Sequence, residues 1–431
     1  MRILLTGATD FIGSAALARL TELGHEVVAV VRQVDTAARR LPASRFVTLN
    51  IDQAAKPENW LPHLDGVDAV VNCAGVLQDS ARDSTAGVHV HGVTALFTAC
   101  ERAGVRRVVH LSAIGVDRET PTTFSRSKLQ GDEDLMARGL DWAILRPSVV
   151  VGRAAYGGSA LFRGLAALPL LPVAPHTGAL QIVQLDDVVS TIVWFLRPDA
   201  PARTVLEIAG PERLSMTEVV QKYRGWLGRP PARIVALPQW AAQAMYRAGD
   251  FLGWLGWRPP MRSTGQREIV RGALGDPSEW ARLTGIIPRS LDAALAAEPS
   301  SVQERWFSHL YFLKPLGFAV FSAFWIGTGV VSLTAGWEIG KGLMFQGGVP
   351  DPYASLTVIA GALADIVIGI LIAFRRTTRI GLYTALAISI TYAITGTILV
   401  PSLWSDPLGP MLKIWPVVGF NLMLLAIVDD R

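Results

Sequence analysis

The sequence predicts an α/β domain built on a doubly wound parallel sheet, followed by an all-α bundle of four transmembrane helices. Short apolar runs alternate with helical stretches through the first half of the chain, which is typical of a parallel sheet with helices on both faces. Charge then falls: residues 1–306 hold 33 Lys+Arg and 30 Asp+Glu, and the last 125 residues hold 7 and 6. The chain is 50% hydrophobic and only 18% charged, and this low-charge end accounts for the imbalance. It indicates a membrane domain.

Apolar runs of three to five residues define the predicted strands. The first covers residues 3–5, and a turn of small residues, 7–13, leads from it into a helix predicted over 14–23, which Gly24 ends. Further strands are predicted at 27–31, 45–49, 69–72, 108–111 and 142–145. Helical stretches such as 93–102 lie between several of them, so the strands are expected to run parallel.

Composition excludes several classes of function. The net charge of +4 is spread over both parts of the chain and gives no footprint for nucleic acid. The two cysteines, Cys73 and Cys100, indicate a reducing compartment rather than a disulfide framework. His89 and His91 are two residues apart and would point to different sides of a strand or helix, so we expect no metal site. The apolar run at the start is too short for a signal peptide.

The turn after the first strand lies where a doubly wound sheet binds ligands, at the carboxyl ends of its strands. Gly7 allows the chain to turn sharply there, and the following helix points its unpaired N–H groups and its positive dipole end at a pyrophosphate. Arg32 follows the second strand, where an acidic residue would hold the ribose 2′-hydroxyl of NAD. An arginine favours the 2′-phosphate, so we predict that NADP(H) is preferred over NAD(H).

The segment TGATDFIG at residues 6–13 resembles the TGxxGxxG turn of extended and atypical short-chain dehydrogenases/reductases, which have an NAD(P)-binding Rossmann fold with a small substrate lobe. Later segments agree with this family in the correct order over about 300 residues: 50–52, 72–75, 110–115, 146–148, 183–188 and 210–212. The resemblance implies these cofactor-binding residues: Gly7, Thr9, Asp10, Phe11, Ile12, Gly13, Arg32, Ile51, Asp52, Ala74, Gly75, Lys128 and Pro147.

Two positions depart from the family pattern. Asp10 replaces the second glycine, which adds bulk and negative charge beside the pyrophosphate. Its backbone tolerates the left-handed region and its side chain can turn outward or cap the next helix, so we expect weaker but retained binding. The family's Tyr-x-x-x-Lys pair reads Phe124 to Lys128, so the phenol that exchanges a proton with the substrate is missing. The resemblance leaves Ser112 and Lys128 as candidate catalytic residues.

Each candidate has a simpler alternative. Ser112 is either a substrate ligand or a strand-end hydroxyl that satisfies local backbone. Lys128 either holds the ribose or is a solvated helix lysine, and Arg32 either binds phosphate or is a surface residue. Other residues are predicted to be structural: Asp186 and Asp187 in the substrate lobe, Cys73 as a wall beside the cofactor, and Cys100 in helix packing.

The chain is predicted to divide at residues 230 and 306. Residues 1–230 form the nucleotide-binding domain with its interleaved lobe, 231–306 an aromatic-rich bridge, and 307–431 the membrane domain. Within the bridge, residues 239–257 have only two charges and are rich in aromatic residues. They are either a lid on the first domain or a segment at the membrane surface that admits a lipid-like substrate.

Spans are predicted at about 316–334, 354–374, 380–400 and 411–428. Arg375, Arg376 and Arg379 crowd the second connection, so the positive-inside rule places it, both termini and the nucleotide domain on the cytoplasmic side of the inner membrane. The four spans resemble the DoxX-like membrane domain. Asp365 is the acid well inside the spans, and it is either functional or part of a structural hydrogen bond.

Two hypotheses of function follow from the resemblance, whose atypical branch includes the nucleotide-binding accessory subunit of respiratory complex I. The first is a membrane-anchored reductase that acts on an apolar or quinone-like carbonyl at the cytoplasmic face of the bilayer. The second is a non-catalytic NADPH-binding module that supports the structure, assembly or sensing of a membrane complex. Retained Ser112, Lys128 and Arg32 favour the first, while Phe124 and Asp10 favour the second. Whether the chain is an enzyme therefore stays open.

Overall fold

The computed structural model describes residues 1–80, 84–257, 259, 261–407 and 409–429. Its contacts divide the chain into two compact units. The first contains residues 1–250 and 259–308, and the second contains residues 251–258 and 309–431. Residues 251–258 thus group with the last third of the chain.

The first unit is built on a parallel sheet of seven strands, which confirms the predicted fold. The strands are β1 (Arg2–Thr6), β2 (Glu26–Val31), β3 (Arg45–Thr48), β4 (Ala69–Asn72), β5 (Arg107–Leu111), β6 (Asp141–Pro147) and β10 (Thr204–Ile208). Their order across the sheet is β10-β6-β5-β4-β1-β2-β3, and every pair is parallel. The strand order reverses between β1 and β4, which puts the ligand crevice of a doubly wound sheet at that point.

Helices cover both faces of this sheet. Their bounds are α1 (Phe11–Glu22), α2 (Val34–Ala38), α3 (Gly92–Ala103), α4 (Thr123–Met136), α5 (Gly157–Ala167), α6 (Leu185–Phe195), α7 (Met216–Trp226), α8 (Gln239–Trp254), α9 (Ser263–Arg271), α10 (Ser278–Thr284) and α11 (Leu291–Ala297). A π-helical turn, Gly87–His91, leads into α3. Side chains alternate along β1, so Ile3 and Leu5 pack with α1 and α6, while Leu4 packs with α3 on the other face.

A small lobe is built from segments that flank β10 in sequence. Two short parallel pairs build it, β7 (Val149–Val151) with β9 (Ile182–Gln184), and β8 (Leu170–Val173) with β11 (Arg233–Ala236). The buried Arg224 donates hydrogen bonds to the carbonyls of Ala166 and Leu168, and so ties α7 to the end of α5.

Among the described residues, four helices are long and apolar enough to cross a membrane, and they lie in the second unit except for the first seven residues of the first helix. These are α12 (Val302–Leu333), α14 (Tyr353–Ala373), α15 (Thr378–Leu399) and α16 (Pro410–Ile427). They coincide with the predicted spans, although α12 begins 14 residues before its span. A further helix, α13 (Trp337–Gln346), lies in what the sequence suggested was only a connection.

Glycines let these helices approach closely. A Cβ on Gly329 would lie 2.4 Å from the carbonyl oxygen of Ala362, so α12 and α14 touch backbone to backbone. Ser322 donates a 2.7 Å hydrogen bond to the carbonyl of Gly369 across the same pair. Close contacts of this kind replace the hydrophobic driving force that is missing between helices in lipid.

Candidate dinucleotide site

The loop between β1 and α1 forms one wall of a cleft at the carboxyl edge of the sheet. Gly7 has a φ of +66°, and a Cβ there would lie 2.7 Å from the carbonyl carbon of Cys73. A Cβ on Gly13 would lie only 2.1 Å from the carbonyl oxygen of Gly7. Both positions therefore need glycine, and α1 begins directly at the loop. The first N–H groups of α1 have no partner within the helix, which suits them to bind an anion.

Asp10 immediately precedes α1 and lines the cleft. Its backbone is extended, with φ −89° and ψ 173°, so the left-handed conformation considered for it is not adopted. Its side chain makes no capping hydrogen bond to the helix, although its N–H donates to the carbonyl of Gly7 at 2.9 Å. A half-buried carboxylate thus lies in the wall where a pyrophosphate would bind.

The cleft has a volume of about 450 Å³, its open mouth included, and brings together residues at or after the ends of β1, β2, β3 and β4 and one residue of the π-helical turn. Seven of them were predicted from the sequence: Gly7, Thr9, Asp10, Arg32, Ile51, Ala74 and Gly75. Six others were not: Val30, Val31, Leu49, Asn50, Val76 and Val88. These six are mostly apolar residues near strand ends. The sequence could have identified them only through the topology of the sheet, which brings those strand ends close to the glycine turn. Arg32 is exposed at the rim.

Other predicted cofactor residues lie outside this lining. The ring of Phe11 stacks on Tyr156 with centroids 5.5 Å apart, and Ile12 packs against the core beneath α1. Pro147 is buried at the end of β6, where its carbonyl accepts a 3.1 Å hydrogen bond from Ile114. These residues shape the elements around the cleft.

Asp52 holds the protein's own backbone in this structure. Its Oδ1 accepts hydrogen bonds from the N–H and the hydroxyl of Ser84, at 2.9 and 2.8 Å. A Cβ on Gly87 would lie 1.9 Å from the same oxygen, so only glycine fits there. Asp52 thereby fixes the chain that enters the π-helical turn beside the cleft.

Lys128 on α4 lies behind the cleft and is 5% exposed, so it is not a solvated helix lysine. Its Nζ donates hydrogen bonds to the carbonyls of Ala74 and Leu111, at 3.2 and 2.8 Å. Burial lowers the pKa of Lys128 to about 8. A Cβ on Gly75 would lie 3.4 Å from this Nζ, so the amine stands directly beneath the cleft lining.

Ser112 follows β5 and donates a 2.8 Å hydrogen bond to Oδ2 of Asp132. Asp132 is fully buried on α4, four residues after Lys128, and its Oδ2 also accepts from Nε of Arg146 at 3.0 Å. Burial would raise the pKa of Asp132, but His110, Arg146 and Ser112 together lower it. The Ser112 hydroxyl therefore serves a buried carboxylate rather than local backbone.

The buried polar chain continues from Asp132 toward β1. His110 Nε2 stands 3.4 Å from Oδ1 of Asp132, without hydrogen-bond geometry, and burial lowers the pKa of this histidine. Its Nδ1 is 2.8 Å from the side-chain nitrogen of Asn72, and Thr6 donates to the side-chain oxygen of Asn72 at 2.5 Å. Side chains from β1, β4, β5 and α4 are thus joined below the cleft.

Phe124 occupies the position of the family's tyrosine, and its ring packs edge-on to His89 with centroids 5.6 Å apart. The Nε2 of His89 accepts a 3.0 Å hydrogen bond from the N–H of Val76, and its Nδ1 is 2.8 Å from the hydroxyl of Ser127. Burial lowers the pKa of His89 well below its ordinary value. The imidazole is thus a neutral packing group with both nitrogens engaged, and it does not supply the missing acid.

Asp132 and His89 were missed by sequence reasoning as members of this site. Asp132 could have been found, because a spacing of four places it on the same face of α4 as Lys128. The role of His89 depends on Val76 and Ser127, which are distant in sequence.

The residues that were predicted to be structural have the following surroundings. Cys100 is buried in the core, and Cys73 is half-buried, with a thiol pKa that burial raises to about 12. Asp186 pairs with Arg289 at 3.6 Å. The described residues contain no group of three His, Cys, Asp or Glu side chains placed to bind a metal ion.

Comparison with known families agrees with this geometry. Residues 7–162 match the NAD(P)H-binding family, and residues 322–422 match the DoxX-like family. The chain joins an NAD(P)H-binding Rossmann domain to a DoxX-like membrane domain. The predicted resemblance to both families is therefore confirmed. The Rossmann domain supplies the cleft described above, and the DoxX-like domain supplies the four apolar helices.

The relatives of this Rossmann–DoxX chain have names that refer to different processes. Sterol demethylase protein B of Methylococcus capsulatus is 27% identical and aligns with 71% of this chain and 99% of its own length. The mitochondrial NADH dehydrogenase (ubiquinone) 1 alpha subcomplex subunit 9 of Arabidopsis thaliana is 24% identical over 57% of this chain and 62% of its own. This chain thus spans less than two thirds of that relative, which belongs to the predicted complex I branch.

Solved structures share the fold. The Bordetella bronchiseptica enzyme WbmG, solved in complex with NAD, superposes with a TM-score of 0.55 at 18% identity, and covers 72% of this chain and 96% of its own. At this identity the match concerns the fold alone. It agrees with the doubly wound sheet of the first unit.

Proposed function

We propose that this chain is a membrane-anchored reductase that binds NADP(H) and transfers hydride to an apolar, quinone-like acceptor at the cytoplasmic membrane face. The observation that carries the proposal is the pairing of a cleft at the glycine turn with a phenylalanine, Phe124, where the family's tyrosine would stand. The proposed ligands of the dinucleotide are the cleft residues, with Phe11, Ile12, Gly13, Asp52, Lys128 and Pro147 around them.

Preference for NADP(H) rests on Arg32, which is exposed at the rim of the cleft immediately after β2. A guanidinium suits a ribose 2′-phosphate, because charge-assisted hydrogen bonds are stronger than neutral ones. We expect Arg32→Asp to shift the NADP(H) to NAD(H) affinity ratio toward NAD(H) by roughly ten- to a hundred-fold, the value of one charge-assisted hydrogen bond. Isothermal titration with both nucleotides measures the ratio. Arg39→Asp, an exposed position after α2, is the matched control and should leave it unchanged. An unchanged ratio in Arg32→Asp would remove Arg32 from the site.

The class of acceptor follows from the missing acid. When bound, the reduced dinucleotide supplies a hydride. Phe124 has no proton to give, and the hydroxyl proton of Ser112 points to Asp132. A ketone that accepts a hydride becomes an alkoxide, whose conjugate acid is about as weak an acid as water. A quinone becomes a phenolate-type anion, whose conjugate acid has a pKa of about 10. The second product takes its proton from water much more readily, so this site suits a quinone better than a ketone.

The apolar character of the acceptor follows from the membrane domain. A substrate dissolved in the bilayer is concentrated near a chain whose four apolar helices are long enough to cross that bilayer. The arginines of the connection after α14 support a position of this surface on the cytoplasmic side of the inner membrane, because of the positive-inside rule. The names of two relatives, with "sterol" and "ubiquinone" in them, agree with an apolar ligand.

The test uses the purified full chain in lipid nanodiscs. We expect NADPH absorbance to decrease when a quinone without a side chain, such as menadione, is added, and to stay constant with an apolar ketone of similar size. Oxidation by neither, in a protein whose melting temperature NADPH still raises, would overturn the reductase proposal. If neither NADPH nor NADH raises the melting temperature at millimolar concentration, nucleotide binding itself fails.

A second candidate is the non-catalytic module, in which bound NADPH stabilises the protein or its complex. The commitment of Ser112 to the buried Asp132 favours it, because that hydroxyl is held by the protein. In this case purified protein retains NADPH and does not oxidise it with any quinone in a broad panel. The same nanodisc experiment therefore separates the two candidates.

A further inference from the structure

A short aromatic segment, residues 251–257, belongs to the membrane unit although it precedes the first span in sequence. It contains the last turn of α8 and the residues directly after it. Within this unit, the segment contacts residues at the C-terminal end of α14 and directly after it.

Side chains at this end cap the last carbonyls of two spans. The Trp257 indole donates a 2.9 Å hydrogen bond to the carbonyl of Ala373, the last residue of α14. Arg375 donates through Nη2 to the carbonyl of Val428, just after α16, at 2.7 Å. The N–H of Arg375 also donates to the carbonyl of Leu255, at 3.0 Å. Carbonyls at helix ends need such donors where lipid excludes water.

The segment is fixed by close packing. Gly256 has a φ of +89°, and a Cβ there would come within 3.3 Å of the Cβ of Arg375. The chain can therefore turn back so that the Trp257 ring packs 5.0 Å from Phe318 of α12, measured between centroids. The guanidinium of Arg375 lies 5.6 Å from the centre of the same indole. Trp257 and Arg375 are thus partly buried and packed against the ends of the spans.

Two other aromatic rings of the segment face outward. Trp254 is 71% exposed and Phe251 is 58% exposed, and their rings stack with centroids 5.9 Å apart. Trp254 also contacts Phe374, directly after α14, at 5.9 Å. Aromatic rings beside the ends of apolar helices are typical of the region where acyl chains meet head groups. Arg376 and Arg379 are exposed on the adjoining connection.

We propose that residues 251–257 and the arginines of residues 375–379 form a collar that binds acidic phospholipid head groups. The collar is continuous with the lipid-facing spans, and its exposed charges are complementary to a phosphodiester with net negative charge. Phe251 and Trp254 lie at the depth of the glycerol backbone, and the guanidinium of Arg376 contacts the phosphate. Arg379 pairs with Asp429, so Arg376 carries the larger share of the binding.

The first experiment measures depth in the full chain, with Cys73 and Cys100 replaced by Ala. Nitroxide labels are placed through Trp254→Cys and, for comparison, through Ile390→Cys in the middle of α15. In nanodiscs of phosphatidylcholine and phosphatidylglycerol, the depth of each label is measured as the ratio of its collision rate with oxygen to its collision rate with a water-soluble nickel chelate. We expect the ratio at position 254 to lie between the ratio at position 390 and that of free label in water. A ratio at 254 equal to that of free label would overturn the proposal.

The second experiment measures lipid selectivity and does not need a labelled protein. Spin-labelled phosphatidylglycerol should be immobilised by the full chain more than spin-labelled phosphatidylcholine. We expect Arg376→Gln to reduce this selectivity roughly five-fold, since one basic residue near an acidic surface contributes about that factor. Arg379→Gln should reduce it less. Lys413→Gln, exposed in the first turn of α16, is the matched control at the opposite end of that helix and should have little effect. Equal selectivity in all variants, or none in the unmodified chain, would overturn the proposal.

Discussion

The two sides of the nucleotide site differ in what their polar groups contact. On the cofactor side, the glycine turn and the ends of β2, β3 and β4 surround an open cleft. On the chemical side, Ser112 and Lys128 bond to the protein itself, and Phe124 has no polar group. Under the proposed function, the site is therefore equipped to bind a dinucleotide but lacks the tyrosine that would donate a proton. Four changes test this contrast, and the largest expected effect comes first.

Phe124→Tyr should give the chemical side its missing acid. The new phenol would stand one helical turn before Lys128, whose amine favours its ionised form. We expect NADPH-dependent reduction of an apolar ketone to rise by roughly 10²- to 10⁴-fold over background, the usual contribution of a general acid. Quinone reduction should change little. Phe124→Leu is the control for altered packing. If ketone reduction does not appear while NADPH still binds, the substrate carbonyl does not reach this position.

Lys128 should make the stability of the protein depend on alkaline pH. Burial lowers its pKa to about 8 in the folded chain, against 10.5 for the ordinary value. Below pH 8 both states carry the charge, so folding bears the full cost of burying it. Between pH 8 and 10.5 the unfolded chain binds a proton that the folded chain has released, so the free energy of unfolding rises by about 3 kcal/mol over this window.

Lys128→Met should lack this rise. The difference in melting temperature between the unmodified protein and the variant, followed from pH 8 to 10.5, isolates the lysine because other groups cancel. Parallel curves for the two proteins would mean that folding leaves the pKa of Lys128 unchanged, so that the amine is solvated rather than buried.

Gly13→Val should damage the cofactor side alone. The new Cβ would meet the Gly7 carbonyl at 2.1 Å, so α1 must move away from the turn. We expect NADPH affinity to fall about a hundred-fold, as a displacement of about 1 Å can produce, with a loss of roughly 1–3 kcal/mol of stability. Gly225→Ala in α7 has nothing within 4 Å and should leave affinity unchanged. Equal affinity in Gly13→Val would place the dinucleotide elsewhere.

Asp10→Gly should have the smallest effect and the opposite sign. Removing one carboxylate beside a pyrophosphate relieves a repulsion of about 1 kcal/mol at 4 Å in water, so NADPH should bind roughly five-fold more tightly. Asp10→Asn separates charge from bulk, because it keeps the size of the side chain. Equal gains in both variants assign the effect to charge. Weaker binding in both would mean that Asp10 supports the loop.

Most of the fold could be predicted from the sequence, because its elements are specified locally. β4 has the predicted limits, and β1, β2, β3 and β5 differ from theirs by a residue at one or both ends. α1 begins three residues earlier than predicted, at Phe11, since its first turn looked like part of the glycine loop. α13 was missed because a helix of ten residues between two spans was interpreted as a connection.

The candidate site was predictable only in part, for a different physical reason. Residues in the glycine turn and at strand ends have a place that the topology of the sheet dictates, and they line the cleft. The partners of Ser112 and Asp52 are Asp132 and Ser84, which lie 20 and 32 residues further along the chain. Such side-chain pairs depend on how helices pack over the sheet, and local patterns do not encode that packing.

The capping contacts of Trp257 and Arg375 also set an order of events during synthesis. The indole's partner, Ala373, is made more than a hundred residues after Trp257, and Val428, whose carbonyl accepts from Arg375, is made later still. At a synthesis rate of about 5–20 residues per second, roughly 10 to 30 s pass before the last partner exists. Throughout this interval the nascent aromatic segment has no finished bundle to pack on. During that time the bilayer or a chaperone must shield its aromatic rings from water. Insertion of the first spans and completion of the packed bundle are therefore separate stages of the biogenesis of this protein.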